Sequence, residues 1–194
     1  MRALLVSGIA VLVAAVPADQ VTLDLRGDLM FASVRKLDLI QPRVLAQLKQ
    51  GQTVAFDFQI SLWVGDRATV SRRSFERFVV SYDLWEERFA VSTLRKPQAR
   101  ATGLAAAGVG PWCLQNLGLP APKLNPADNL WVRLDVRAVE NRREVDLSAE
   151  DGLSVANLIE LFSRAAKSGE SRWSLESGPI SLATLRAREA ERNQ

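Results

Sequence analysis

The clearest pattern in the chain lies in residues 53–64, TVAFDFQISLWV, where Val54, Phe56, Phe58, Ile60, Leu62 and Val64 alternate with Ala55, Asp57, Gln59 and Ser61. Successive side chains of an extended strand point to opposite faces, so a period of two predicts a strand with one apolar and one polar side. Wound into a helix, the same residues would spread their large apolar groups around the circumference and bring Asp57 and Gln59 onto the buried side. Residues 130–137 repeat the pattern, with Leu130, Val132, Leu134 and Val136 alternating with Trp131, Arg133, Asp135 and Arg137. Shorter extended segments are read at Val21–Leu25 and Leu29–Val34, joined by a Gly27-Asp28 turn. Phe75–Tyr82 and Phe89–Leu94 follow, with a turn at Asp83–Glu87 between them.

Helical signals are fewer. Pro42 at a first helical position, Gly51 beyond the end, and Val44, Leu45 and Leu48 between them mark one short helix. Pro111 to Leu117, closed by Gly118, marks a second, and residues 99–110 before it read as a small-residue loop with one helical turn at most. Leu153 to Lys167 carries the longest apolar stripe at helical spacing and stops before Gly169. Pro120, Pro122 and Pro126 suit a surface crossing between two sheets. Trp173, Leu175, Ile180, Leu182 and Leu185 anchor a final extended segment or two, and the charged end of the chain lacks a core-facing stripe. Many short strands without regularly interposed helices predict a mainly β fold, an antiparallel β-sandwich with two short helices and one longer C-terminal helix. The expected division is a signal peptide at 1–18, a single sandwich domain at 19–186 and a frayed tail at 187–194.

Composition fits this reading. A chain of 194 residues, 47% hydrophobic and 24% charged, can bury a core of ordinary size as one domain. Arg2, the apolar run Ala3–Val16 and the small-residue site Val16-Pro17-Ala18 have the layout of a secretory signal cut after Ala18. That run is shorter than the ~20 apolar residues needed to cross a bilayer, so the mature chain is expected to carry no transmembrane span. The expected location is periplasmic or secreted. Cys113 is the only cysteine, which excludes an intramolecular disulfide, and its apolar neighbours Pro111, Trp112 and Leu114 read it as a small buried hydrophobe. The net charge of +3 is dispersed, without the basic stripe that nucleic acid requires.

The sequence contains no histidine. This removes the usual general base, the Ser-His-Asp and Cys-His arrangements and the commonest transition-metal ligand. No catalytic, cofactor-binding or metal-ligating residue is therefore assigned, and no cofactor is implied. Glu86 and Glu87, beside Tyr82 and Trp85, are the one acidic pair in an aromatic setting. A glycosidase needs its two carboxylates set apart across a cleft, whereas neighbours in a turn face solvent. Trp63 and Trp131 fall at the outward register or end of their strands and form a candidate patch for a ligand or partner. The competing reading is that the helix at 153–167 lies over them.

In order, the features resemble a bacterial family known as domain of unknown function 4390: the N-terminal signal, a short helix ending in Leu48-Lys49-Gln50-Gly51, the long alternating strand, a strand ending in Tyr82-Asp83-Leu84 with a close return through Arg88-Phe89-Ala90-Val91, and a late strand at 131–139. The resemblance implies an exported protein of uncharacterised activity, and a neighbourhood with a membrane sensor kinase. The function expected from these readings is a non-catalytic binding or scaffolding protein of the bacterial cell envelope, its partner an envelope protein or a membrane sensor. The alternatives are a carboxylate-dependent hydrolase of envelope glycans and an accessory protein to a membrane sensor.

Overall fold

The structure is a computed structural model that describes residues 21–65, 67–95, 97–121, 125, 127–139 and 171–192. The signal read at 1–18 and the helix read at 153–167 lie outside the described residues. Among the described residues the fold is mainly β and sandwich-like, with two antiparallel sheets and three helices, the last of them towards the C-terminus. One sheet has the order β1-β2-β7 and the other β6-β5-β4-β3-β8-β9.

The small sheet begins with β1 (Val21–Arg26) and β2 (Leu29–Val34), paired around Gly27, whose φ of +59° suits a residue without a Cβ. Its third strand is β7 (Gly118–Pro120). The large sheet is built on β3 (Val54–Val64), flanked by β4 (Val70–Asp83) and β8 (Asn129–Val139). Beyond β4 come β5 (Arg88–Thr93) and β6 (Arg100–Leu104), and beyond β8 comes β9 (Arg172–Ser181). The alternation of β3 does what its pattern predicts. Phe56, Phe58, Ile60 and Leu62 are fully buried, facing Phe78 and Val80 of β4 and Leu130, Leu134 and Val136 of β8 in one core. From the small sheet, Val21, Leu23, Met30 and Leu119 complete that core. The Ser74 hydroxyl on β4 donates to the Gly118 carbonyl on β7 at 2.8 Å, tying the two sheets together.

Helix α1 (Pro42–Lys49) opens on Pro42, buries Val44 and Leu48, and ends at Gly51, whose φ is +78°. Helix α2 spans Ala106–Gln115 and thus starts five residues before the Pro111 expected to open it. Pro111 sits inside the helix, on an exposed position. The loop expected over 99–110 is instead β6 followed by the first turns of α2. Its small residues serve packing: a Cβ on Gly110 would lie 2.9 Å from the Leu37 carbonyl oxygen, so glycine lets α2 approach that backbone.

The C-terminus corrects a second expectation. Residues 182–192 form helix α3 (Leu182–Arg192) rather than a further extended segment and a frayed tail. Two apolar side chains suffice to dock it, Leu182 and Leu185, both buried against the core. Polar contacts finish the attachment: the Gly27 N–H donates to Glu189 Oε1 at 2.8 Å, and the Arg192 guanidinium donates to the Leu25 carbonyl. The charged residues that mask a stripe in the sequence are the ones that clamp the β1–β2 turn.

Candidate functional site

The second face of the large sheet carries the polar half of the alternation. β3 presents Ala55, Asp57, Gln59, Ser61 and Trp63 there, and register fixes what stands beside each. Asp57 pairs with Arg77 of β4 on one side and Arg137 of β8 on the other, and Arg137 pairs onward with Arg172 of β9. Side chains directly opposite on adjacent strands have Cβ atoms about 5 Å apart, close enough for a carboxylate to bridge two guanidiniums. It does so. Arg77 grips Asp57 with Nε on Oδ1 and Nη2 on Oδ2, the latter at 2.9 Å, and Arg137 Nη2 reaches Oδ2 at 3.3 Å. Asp57 is fully buried and Arg77 nearly so. The polar side of β3 is therefore not a solvated side at this end of the strand.

Four residues along, the same geometry returns with a different centre. Ser61 pairs with Arg73 of β4 and with Arg133 of β8, and Arg133 pairs onward with Glu176 of β9. Ser61 is buried and its hydroxyl accepts from Gln59 Nε2 at 3.3 Å. Arg133 donates Nε to Asp135 Oδ1 at 3.0 Å and approaches Glu176 at 3.6 Å. Arg73 is exposed and, among the described residues, makes no ion pair. Between the two rows lie Gln59 and Asp135, paired with one another across β3 and β8.

Together these residues line a cleft of about 320 Å³, bounded by Gln59, Ser61, Trp63, Arg73, Arg133, Asp135, Arg137, Arg172 and Ser174, with Val136 and Trp173 at its β8–β9 side. The described lining holds four arginines and one carboxylate, and Asp57 and Glu176, outside that lining, pair with Arg137 and Arg133. Trp173 anchors that wall by packing against Phe56, with ring centroids 6.2 Å apart.

Trp63 and Trp131, the patch read from the sequence, are brought together as directly opposed residues of β3 and β8. They are half-buried, and what covers them among the described residues is Arg67. Its guanidinium lies 4.7 Å from the Trp131 ring centre and 5.7 Å from that of Trp63, while its Nη2 pairs with Glu176 at 3.2 Å. Arg67 has a φ of +64°, and this turn past Gly65 aims the side chain back over the strand end. On the far side, a Cβ on Gly178 would lie 2.8 Å from the Trp131 ring, so glycine there lets β9 pass close to it. Trp63 thus lines the cleft, and Trp131 stands beside it beneath the same arginine.

Glu86 and Glu87 lie in the exposed β4–β5 turn, where Trp85 is 97% exposed, and they line no part of the cleft. Cys113 is buried in α2, and burial pushes its thiol far above the usual range. It has the setting of a packing residue. Glu76, buried on the core side of β4, has its carboxyl raised by that burial. Arg95 at 3.0 Å and the Arg77 N–H partly offset the rise. No group of three His, Cys, Asp or Glu among the described residues is placed to hold a metal ion, and no helix among them is long and apolar enough to cross a membrane.

The arginines of the cleft are the residues that reading the sequence passed over. Their signal was the spacing: Arg73 and Arg77, Arg133 and Arg137, and Ser61 and Asp57 are each four residues apart on the non-core side of three strands. No protein-family profile, curated protein or solved structure matches the chain.

Proposed function

We propose that this chain is a non-catalytic binding protein of the bacterial envelope, and that the cleft on the outer face of the large sheet is its ligand site. The observation that carries the reading is the cleft itself, a concave surface rich in polar side chains and built on four adjacent strands, β4, β3, β8 and β9, with Trp63 in its lining. Sites on strands are held more rigidly than sites on loops, which favours recognition without rearrangement. Hydrolysis by paired carboxylates draws no support from this geometry: Asp135 is the one carboxylate of the described lining, and Arg133 holds both its oxygens at 2.9–3.0 Å. The reading of residues 1–18 as an export signal supports an envelope location, and the resemblance to the uncharacterised exported family points to a membrane sensor as one partner.

Thermal shift against a panel of sugars, amino acids, dicarboxylates and phosphorylated glycans tests this. A compound that raises the melting temperature of the mature chain, loses its effect when Gln59→Ala and Ser174→Ala are combined, and is recovered unchanged by mass spectrometry is the expected result. Turnover of the bound compound, or binding indifferent to the cleft substitutions, would overturn the reading.

A further inference from the structure

The two arginine rows of the outer face differ in one respect that bears on the ligand. In the first row the centre between Arg77 and Arg137 is Asp57, and the chain supplies its own carboxylate to both guanidiniums. In the second row the centre between Arg73 and Arg133 is Ser61, on the same strand and the same face. Serine has the backbone position of the aspartate without its charge. Arg137 of the first row also reaches the cleft, but Asp57 and Arg77 are buried and line no part of it, whereas Ser61, Arg73 and Arg133 of the second row all line it, with Arg73 exposed. We propose that the second row is an oxyanion site, in which a carboxylate or phosphate group of the ligand occupies the place over Ser61 that the Asp57 carboxylate occupies in the first row.

This inference rests on the cleft being the ligand site and names the chemistry it takes. Arg73 and Arg133 flank Ser61 in register on β4 and β8 and line the same cleft, and guanidiniums bind oxyanions by charge-assisted, often forked hydrogen bonds. Asp135 and Glu176 hold Arg133 by Nε and Nη1, which fixes where its guanidinium stands beside the cleft. Arg73, with no ion pair among the described residues, is the arginine for which the ligand is the partner. Trp63, next on the same face of β3, bounds the site and gives it a fluorescent reporter.

Isothermal titration of the mature chain with inorganic phosphate and, separately, with succinate tests the proposal and distinguishes the two oxyanions. Binding of either, weakening as sodium chloride is raised, is expected. Arg73→Gln, at an exposed position, is expected to weaken it about tenfold, the effect of one charge-assisted contact. Ser61→Asp is expected to abolish it, because an internal carboxylate then fills the site, and to melt higher than Ser61→Asn, which has the same shape without the charge. Equal binding by wild type, Arg73→Gln and Ser61→Asp overturns the proposal, as does a Ser61→Asp variant that melts no higher than Ser61→Asn. If phosphate and succinate fail while a neutral compound binds in the cleft, the oxyanion site falls and the binding function stands. If no compound of any class binds, both fall.

Discussion

Replacing Asp57 with asparagine keeps the shape of the side chain and removes a charge that pairs with two arginines. Asp57 is wholly inaccessible to solvent, Arg77 is 2% exposed and Arg137 7% exposed, so bulk water cannot take over the role of the carboxylate. Breaking a buried pair from one side takes a counterion away from the other charge and costs about 3–5 kcal/mol. An exposed pair such as Arg67 with Glu176, at 3.2 Å and with both side chains well over a third accessible, is worth at most about 1 kcal/mol. In a chain of this length each kcal/mol moves the midpoint by roughly 2–4 °C, so Asp57→Asn is expected to melt roughly 6–20 °C lower and Glu176→Gln within about 4 °C of wild type. Urea titration, with the slope checked for constancy, gives the same comparison as free energy. The triple change Asp57→Leu, Arg77→Met and Arg137→Met separates charge from packing, because removing all the charges together is often neutral. It is expected to recover most of the loss. An Asp57→Asn variant within about 1 kcal/mol of wild type would refute the reasoning, since the arginines would then have no need of the carboxylate.

Other consequences are smaller and local. Glu76 has a folded carboxyl pKa raised above its ordinary value, so its contribution is favourable below the unfolded pKa of about 4.5 and is lost as pH rises through the folded value; Glu76→Gln is therefore expected to gain stability relative to wild type at neutral pH and to lose that advantage on acidification, as followed by urea midpoints across pH. Arg67→Ala is expected to lower stability by about 0.5–1 kcal/mol, the worth of an exposed cation–π contact, and to increase acrylamide quenching of tryptophan as Trp63 and Trp131 are uncovered. Unchanged quenching would mean that Arg67 does not shield them. Gly110→Ala places a Cβ against the Leu37 carbonyl and is expected to cost about 1–3 kcal/mol in denaturant titration, whereas the same change at Gly108, where the nearest atom is the end of Leu104 at 3.9 Å, is expected to cost nothing.

Period-two alternation is a statement about faces, and it read β3 and β8 correctly because one face of each is wholly apolar. It says nothing about depth. Asp57 and Ser61 fall on the polar side, as the alternation predicts, but whether Asp57 meets water or two arginines there depends on neighbours 20 and 80 residues away in sequence. Register decides this, and register is set by whole-sheet pairing rather than by a window of residues. The arginine pairs were visible as spacing, yet a charge on the non-core side of a strand ordinarily means solvent, so spacing alone did not mark them. Helix α3 escaped for a related reason: two buried leucines and two polar clamps dock it, and no sequence window shows that Glu189 and Arg192 have backbone partners in the β1–β2 hairpin. The small residues of α2 read as a flexible loop because glycine signals both freedom and close approach, and only the position of Leu37 tells them apart.

The repetition of the arginine rows makes the buried one a measure of the open one. Shortening Asp57 to alanine empties a place the size of a carboxylate between Arg77 and Arg137, and so converts the first row into a buried copy of the second. A small oxyanion that fits there should restore part of what the side chain gave. Formate matches the carboxylate lost and should raise the melting temperature of Asp57→Ala more than that of wild type, whereas chloride at the same ionic strength, which screens charge equally but cannot bridge two forks, should not. Linkage sets the size: a ligand at a hundred times its dissociation constant stabilises by about 2.7 kcal/mol, comparable to the charge deficit it repairs. Because Asp57 is fully buried, formate must enter from the cleft that Arg137 also lines, so a bulkier dicarboxylate should fail at this row while still binding at Arg73 and Arg133. Equal stabilisation of Asp57→Ala by formate and chloride would mean that two opposed guanidiniums on this sheet do not select an oxyanion, and the open row would lose its internal precedent.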